Sequence, residues 1–294
     1  MNERAFSVAD LFLLCVVVIW GTSFTAAKIA LREFDPISFA ALRTIAAAPV
    51  LFIILILKEK GIHFAKKDIL PFVIMGLFGH FLNRFCWSYG LKFTTASNAS
   101  LLMSATPIFA ALLASVFRIE RVTLKSSIGI GLAFLGVFFV IKGGFSQPGL
   151  GKATLLGDFF ILGTSLSWAL FSVFAKHLLR DRSILKVTAW SCQFGAGFMV
   201  PFIIGPLAKG AFAYPSAKAW LCLLYVGILG NAVAHVFWIT GISKIGPTRT
   251  NMYQTFVPMV AIFFAVMFLG ESLFWVQIIG AALVLGGVYL TRFA

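Results

Sequence analysis

Apolar runs recur from Val8 to Leu290 and dominate the sequence. Each holds roughly twenty residues, which is long enough to cross the roughly 30 Å hydrocarbon layer of a bilayer as an α-helix. Short segments rich in Pro, Gly or charge separate the runs. We therefore predict an all-α integral membrane protein with ten transmembrane helices. Predicted helices 1 to 10 cover residues 8–31, 36–57, 69–91, 95–117, 124–142, 154–176, 185–205, 219–241, 248–269 and 272–291.

Two other readings of the apolar runs fail on pattern and composition. A transmembrane barrel needs alternating apolar and polar residues, and the stretch 52–57 shows no alternation. A soluble core does not use 60% hydrophobic and 12% charged residues, with a mean hydropathy of +0.98. The partner that this composition predicts is a lipid bilayer.

The basic residues behind the formal net charge of +14 are distributed unevenly between the two sides of the predicted topology. With a cytoplasmic N-terminus, fifteen Lys and Arg residues fall on the inside and seven on the outside. This bias predicts that both termini are cytoplasmic, in a multi-pass protein of the cell inner membrane. The basic surplus is then an orientation signal, and we predict no nucleic-acid partner.

The cysteines indicate no metal or cofactor chemistry. All four lie inside predicted helices without short ligand spacing, so we predict neither a disulfide framework nor a zinc site. We expect no metal and no cofactor, and interpret the thiols as small packing groups.

The two halves of the chain repeat each other at nearly constant offset. At an offset of 148 the matches are Asp10/Asp158, Trp20/Trp168, Ala27/Ala175 and Lys28/Lys176. At 151 they are Gly76/Gly227, Gly79/Gly230, Trp87/Trp238, Gly90/Gly241, Pro107/Pro258, Glu120/Glu271, Gly129/Gly280 and Gly136/Gly287. We predict a first five-helix unit at 1–142, an external Gly-rich linker at 143–153 and a second five-helix unit at 154–294. Since five is odd, the two units are inverted, an arrangement typical of alternating-access transporters with a site near mid-membrane.

The duplicated pattern resembles the EamA-type branch of the drug/metabolite transporter superfamily. The resemblance rests on residues 20–24 (Trp-Gly-Thr-Ser-Phe), on the segment 107–120 with its echo 258–271, and on the Gly-rich helices 5 and 10. It implies a ten-helix fold with a central cavity lined mainly by helices 1, 3, 4, 6, 8 and 9. It also implies transport of amino acids and other small metabolites, without defining the substrate.

Polar side chains inside the predicted spans are the main candidates for substrate binding. Predicted helix 3 carries a set at helical spacing, which puts its members on one face: His80, Asn83, Arg84 and Trp87. Predicted helix 8 carries Asn231, His235 and Trp238 at the same kind of spacing. The alternative role for both sets is bonding between helices.

Helices 4 and 9 carry corresponding polar stripes, from which we select Ser104, Asn251 and Thr255 as candidates. Small hydroxyl residues also favour tight helix packing, so the serines have that alternative role. Pro107 and Pro258 each leave a carbonyl without its helical partner, and we expect a bend or polar anchor there.

Aromatic residues at mid-membrane depth form the last candidate set. Trp20 with Phe24 in helix 1, and Trp168 with Ser172 in helix 6, are predicted to form a cavity wall or gate. Packing in the protein core is the alternative. We expect Arg43, in the outer part of helix 2, to snorkel towards the interface.

The candidate set contains an arginine and histidines, and no predicted span centre contains a carboxylate. We therefore predict a secondary transporter, in the exporting direction, for a small organic anion or zwitterion such as an amino acid. The alternative is a multidrug or cationic-metabolite exporter, which needs a carboxylate in its cavity. A membrane-embedded enzyme is disfavoured because no catalytic motif is found. The glycines of helices 5 and 10 suit internal packing and a homodimer equally well.

Overall fold

A computed structural model describes residues 7–59, 62–63, 65–117, 124–145, 151–178, 182–245, 250, 253–254 and 256–292. These residues are overwhelmingly helical. The α-helices are α1 (Val8–Ala30), α2 (Pro36–Lys58), α3 (Ile69–Gly76), α4 (Asn83–Phe93), α5 (Ala96–Met103), α6 (Thr106–Val116), α7 (Leu124–Phe145), α8 (Gly151–Leu178), α9 (Ile184–Met199), α10 (Pro201–Ala208), α11 (Ala217–Leu224), α12 (Ala234–Ile245), α13 (Val257–Leu269) and α14 (Trp275–Arg292).

Six helical spans within the described ranges are long and apolar enough to cross a membrane, and a seventh is obtained if the bent pair α9–α10 is one span. The bend of 44° lies at the junction before Pro201. Three further apolar helices, at 127–143, 257–269 and 275–290, are shorter. The prediction of an all-helical membrane protein is confirmed at this level.

Local sequence explains where several helices begin. Ser7 and Asp10 form a capping box at the start of α1, and the Asp35 carboxylate accepts a hydrogen bond from the Ser38 amide at the start of α2. The helix is interrupted just before Pro107, because α5 ends at Met103 and α6 starts only at Thr106. Pro258 lies in the first turn of α13.

Two π-helical segments interrupt helices that the sequence predicts to be continuous. The first, Leu77–Leu82, joins α3 to α4, and the second, Tyr225–Val233, joins α11 to α12. The offset of 151 carries residues 77–82 into the second segment. A π turn has an i→i+5 hydrogen-bond pattern and so rotates the following residues away from α-helical register, often at a functional position.

Glycines allow α7 and α14 to pack with their backbones in contact. A Cβ atom on Gly136 would lie 2.6 Å from the Gly280 carbonyl oxygen, and one on Gly287 would lie 2.4 Å from the Gly129 carbonyl oxygen. Close approach within one chain therefore accounts for these glycines without a second copy.

Contacts between connecting segments define two ends of the bundle. At the first, which we call the Leu31 end (residues 31–35, 94–95, 214–216 and 270–274), the Glu33 carboxylate accepts hydrogen bonds from the Ser216 amide and hydroxyl at 2.5 and 2.8 Å. At the second, the Glu59 end (residues 59–68 and 182–183, where described), Arg182 Nε donates to Asp68 Oδ2 at 3.0 Å. Each end is thus closed by contacts between sequence-distant segments.

Candidate functional site

Aromatic rings from α1, α8 and the first turns of α12 lie close together. The ring centroid of Trp20 lies 5.1 Å from that of Trp238 and 5.6 Å from that of His235. His235 in turn lies 5.8 Å from Trp168, which stacks on Phe171 at 5.0 Å. We call these five residues the aromatic cluster. They create a continuous apolar and polarizable wall across both halves of the chain.

The cluster is anchored to the second π segment. Trp20 Nε1 donates a hydrogen bond of 3.0 Å to the Gly230 carbonyl oxygen, and the hydroxyls of Thr22 and Tyr225 lie 2.6 Å apart. The close approach depends on Gly230, where a Cβ atom would lie 3.1 Å from the Ser23 hydroxyl oxygen. The π segment therefore contributes backbone, as well as side chains, to this region.

The first π segment positions His80 and Asn83 against α8 and α9. His80 Nε2 lies 3.2 Å from Ser191 Oγ, and the His80 ring lies 5.8 Å from Phe171. Asn83 Nδ2 donates to the Thr164 carbonyl oxygen at 3.1 Å. These polar groups bond between helices in this conformation, which is the alternative role considered for them.

A second aromatic contact involves Arg43 and corrects the expectation that it snorkels. Arg43 is only 1% exposed, and its guanidinium carbon lies 4.2 Å from the Trp87 ring centroid and 5.4 Å from that of Phe39. Trp87 also packs against Phe24, at 5.6 Å. Because cation–π stacking is strong when desolvated, the charge remains inside the bundle. The Arg43 side chain also donates to the Arg84 carbonyl oxygen, at 3.3 Å.

Arg84 has unused hydrogen-bonding capacity. Its Nε and Nη2 atoms are buried and make no hydrogen bond among the described residues. These two nitrogens form one edge of the guanidinium, whose parallel N–H groups match the two oxygens of a carboxylate. The side chain lies within electrostatic reach of His80 and His235. Uncompensated buried donors of this kind require a partner at some stage of the protein's function.

Two polar residues of α12 and its π segment have the same property. Asn231 is 6% exposed and His235 is 7% exposed. The Asn231 amide nitrogen and both ring nitrogens of His235 lack a hydrogen-bond partner within the described part of the chain. The Gly230 carbonyl lies near His235 but accepts from Trp20.

The structure brings together some of the predicted site residues. Trp20, Trp168, His235 and Trp238 share the aromatic cluster, while Phe24 and Trp87 form the neighbouring layer with Arg43. The four residues of predicted helix 3 have different neighbours: His80 lies within the π segment, whereas Asn83, Arg84 and Trp87 follow it in α4.

Among the remaining candidates, Ser104 lies apart from the aromatic cluster. The Ser104 hydroxyl donates to the Ser100 carbonyl in its own helix turn. Asn251 and Thr255 lie outside the described residues, and Ser172 is described only as part of α8.

Sequence reasoning missed the internal position of Arg43 and the correspondence between Arg84 and His235. The signal for the second was present, because the offset of 151 pairs these two residues directly. The repeat thus places a permanent cation in one half where the other half carries a titratable ring.

The site combines a guanidinium edge with neutral polar groups and an aromatic wall, inside a bundle of membrane-length helices. Such a combination recognises a small molecule with an anionic head and an apolar body. A polar site enclosed by apolar spans is typical of a membrane transport protein. The chain belongs to the EamA-like transporter family, whose model matches residues 7–142 and again residues 155–293. The protein is therefore a membrane transporter, because its family is a family of transporters.

Several curated relatives match nearly the whole chain. The "Probable amino-acid metabolite efflux pump" of Salmonella typhimurium is 27% identical, over 95% of this chain and 93% of the relative. The "Probable terminal-alkyne amino-acid exporter" of Streptantibioticus cattleyicolor is 25% identical, over 95% and 91%. The "Uncharacterized transporter YetK" of Bacillus subtilis is 28% identical, over 95% and 85%.

A crystal structure shares the fold of this chain. Its TM-score is 0.63, at 17% sequence identity, over 98% of each chain. At this identity the likeness concerns the fold alone.

Proposed function

We propose that this protein exports small organic metabolites that carry a carboxylate, such as amino acids, by alternating access around a central cavity. The observation that carries the proposal is the unpartnered Nε–Nη2 edge of Arg84 beside the aromatic cluster. A transported carboxylate would satisfy both donors at once, and the rings would cover the apolar part of the substrate.

Burial of the Arg84 edge fits an occluded step of this cycle. Nε and Nη2 are shielded from solvent, so a ligand reaches them only when neighbouring helices separate. His235 and Asn231 offer further unpartnered groups from the other half of the chain. A substrate contacting both groups would link the two halves, which is how binding energy can bias one arrangement of the halves over another.

The inverted ten-helix architecture is part of this proposal. The six candidate spans, the bent pair and the three shorter apolar helices correspond in order to ten crossings. In a ten-crossing topology, connecting segments that contact each other lie on the same side of the membrane. This holds for the contact of Glu33 with Ser216 and for that of Asp68 with Arg182. Repeat units at 1–142 and 154–294, joined by residues 143–153, account for the paired π segments.

We further infer that both termini are cytoplasmic and that the protein resides in the cell inner membrane. The inside excess of Lys and Arg supports this orientation. The Leu31 end is then external, and export proceeds from the Glu59 end towards it. The names of two relatives, an amino-acid metabolite efflux pump and an amino-acid exporter, agree with the proposed substrate class and direction.

A multidrug or cationic-metabolite exporter is the competing function. It is disfavoured by the charge at the site, because Arg84 is a permanent cation there and no described carboxylate bonds to its Nε or Nη2 atoms. A cation would be repelled by Arg84 unless a further anion entered with it.

The test is uptake by purified protein in liposomes, with a panel of labelled amino acids, other organic acids and cationic dyes. We expect transport of at least one carboxylate and competition by compounds that keep the carboxylate. The methyl ester or amide of the same compound should compete poorly, because it lacks the anion that pairs with the guanidinium. Transport of a cationic dye without an acid group, together with failure of every carboxylate, would show that the proposed substrate class is wrong.

A further inference from the structure

Asp158, near the start of α8, is a fully buried carboxylate with an incomplete set of partners. It is 0% exposed. Its Oδ1 atom accepts hydrogen bonds from the Thr94 hydroxyl at 2.7 Å and the Asn98 amide at 2.5 Å. Its Oδ2 atom is buried and has no hydrogen-bond partner among the described residues. Oδ1 therefore has two hydrogen-bond donors, and Oδ2 has none among the described residues.

The hydrogen bonds around Asp158 have a defined direction. The Phe274 amide donates to Gln277 Oε1, so the Gln277 amide nitrogen faces Asn98 and donates to its Oδ1 atom at 3.2 Å. Asn98 must then present its NH₂ group to Asp158. The network therefore supplies two donors to Oδ1 from fixed positions and leaves Oδ2 without one.

The charged groups near this network are engaged elsewhere. Lys28 of α1 donates to the carbonyl oxygens of Leu91 and Thr94, at 2.7 and 2.5 Å. Glu271 accepts from the first amides of α5. Lys92, at the end of α4, bonds the Leu31 carbonyl.

Lys142, a further cation on a neighbouring helix, is exposed in the last turn of α7. No described Lys or Arg side chain hydrogen-bonds to Asp158. An ionised carboxylate buried without a cation is costly, and such groups take up a proton instead.

Asp10 provides an internal comparison, because it occupies the equivalent position in the first half of the chain. Its Oδ2 atom accepts from the Ser7 amide at 2.8 Å and the Ser7 hydroxyl at 2.6 Å. Its Oδ1 atom accepts from the Tyr253 hydroxyl at 2.7 Å. Asp10 is only half-buried, and both of its oxygens are hydrogen-bonded. The environment of Asp10 thus supports an ionised carboxylate, whereas that of Asp158 does not.

We propose that Asp158 is a proton-binding site, which holds a proton on Oδ2 in this conformation and releases it to water when the Leu31 end opens. The step is the formation or loss of one O–H bond, with water supplying and accepting the proton. Proton binding stands independently of the transported substrate. The use of this proton to drive transport rests on the proposed function. The network joins α5, α8 and α14, and these helices must separate for water to reach Asp158.

Infrared difference spectroscopy of the purified protein in lipid bilayers tests proton binding directly. Spectra recorded over a pH series should contain the C=O stretch of a protonated carboxyl group. We expect Asp158→Asn to remove this band and the matched variant Asp10→Asn to retain it. A band that persists at full strength in Asp158→Asn, or its absence from the wild-type protein at every pH, would overturn the assignment.

A second variant tests the assignment independently, in case Asp158→Asn does not fold. Asn98→Ala keeps the carboxyl group but removes one donor to Oδ1, so the C=O band of Asp158 should move to higher frequency. An unchanged band in correctly folded Asn98→Ala would contradict the assignment. Failure of the carboxylate uptake screen would overturn the proposed function and leave these spectra unaffected, so the two proposals fail separately.

Discussion

Replacing Arg84 by Gln removes a permanent charge whose Nε–Nη2 edge has no partner among the described residues. In the wild-type protein, Nε and Nη2 are free to donate two parallel hydrogen bonds to one carboxylate. A hydrogen bond to a charged group contributes about 1.5–3 kcal/mol, so the pair is worth about 3 kcal/mol or more. Glutamine can donate one neutral hydrogen bond in place of this pair, and that bond contributes about 1 kcal/mol. The expected net loss of about 2–3 kcal/mol corresponds to roughly 30- to 150-fold weaker binding.

Arg84→Lys separates geometry from charge. Lysine keeps the positive charge and lacks the planar edge that pairs with both carboxylate oxygens. We expect an intermediate loss of about 1.4 kcal/mol, which is about tenfold in affinity. The order wild type, Lys, Gln is therefore the signature of bidentate recognition.

The assay is initial-rate uptake of a labelled carboxylate into proteoliposomes, over a concentration series for each variant. Arg32→Gln is the matched control, because Arg32 is exposed at the Leu31 end and its loss removes the same charge away from the site. Equal amounts of folded protein, verified by size-exclusion chromatography, are required for every variant. Wild-type uptake by Arg84→Gln would refute the reasoning, as would an Arg32→Gln protein equally impaired.

Three further predictions concern packing, an external contact and the buried cation. Gly287→Ala should lower stability in a thermal melting assay by about 1–3 kcal/mol, because the new Cβ atom would lie 2.4 Å from a backbone oxygen. The control Gly286→Ala should be nearly neutral in the same assay, because its nearest contact would be at 3.7 Å. Hydrogen bonds from the backbone and hydroxyl of Ser216 lower the pKa of Glu33, so their contact should persist at neutral pH and be lost only as the pH falls below the ordinary titration range of a glutamate carboxyl. Protection from hydrogen exchange at residues 214–220, corrected for the intrinsic pH dependence of exchange, should then fall on acidification in the wild-type protein, and Glu33→Gln should remove that dependence. Arg43→Lys should reduce thermal stability by about 1–2 kcal/mol, because an ammonium group cannot stack on the indole as a planar guanidinium does; unchanged melting would contradict this role.

The sequence already contains the membrane environment, the helical class and several boundaries of this protein. Apolar runs of bilayer length allow little besides spanning helices, since backbone polar groups in lipid must be satisfied within the segment. The helix starts at Ser7 and Asp35 and the break before Pro107 follow from local side-chain and backbone chemistry. Trp20 and His235 were also recognisable as candidates, because aromatic and ionisable residues at such depth are unusual.

Only the tertiary structure decided which neighbour each of these residues meets. Helical periodicity predicted a common face for His80, Asn83, Arg84 and Trp87. That prediction assumes α-helical register throughout, which the π segment at residues 77–82 breaks between His80 and the other three. The burial of Arg43 depends on an indole supplied by another helix, and the contrast between Asp10 and Asp158 depends on donors distant in sequence. A sequence pattern states how far apart residues lie along one helix. It contains no distance to the next helix, and that distance determines whether a buried charge is paired, stacked or left to bind a proton or a ligand.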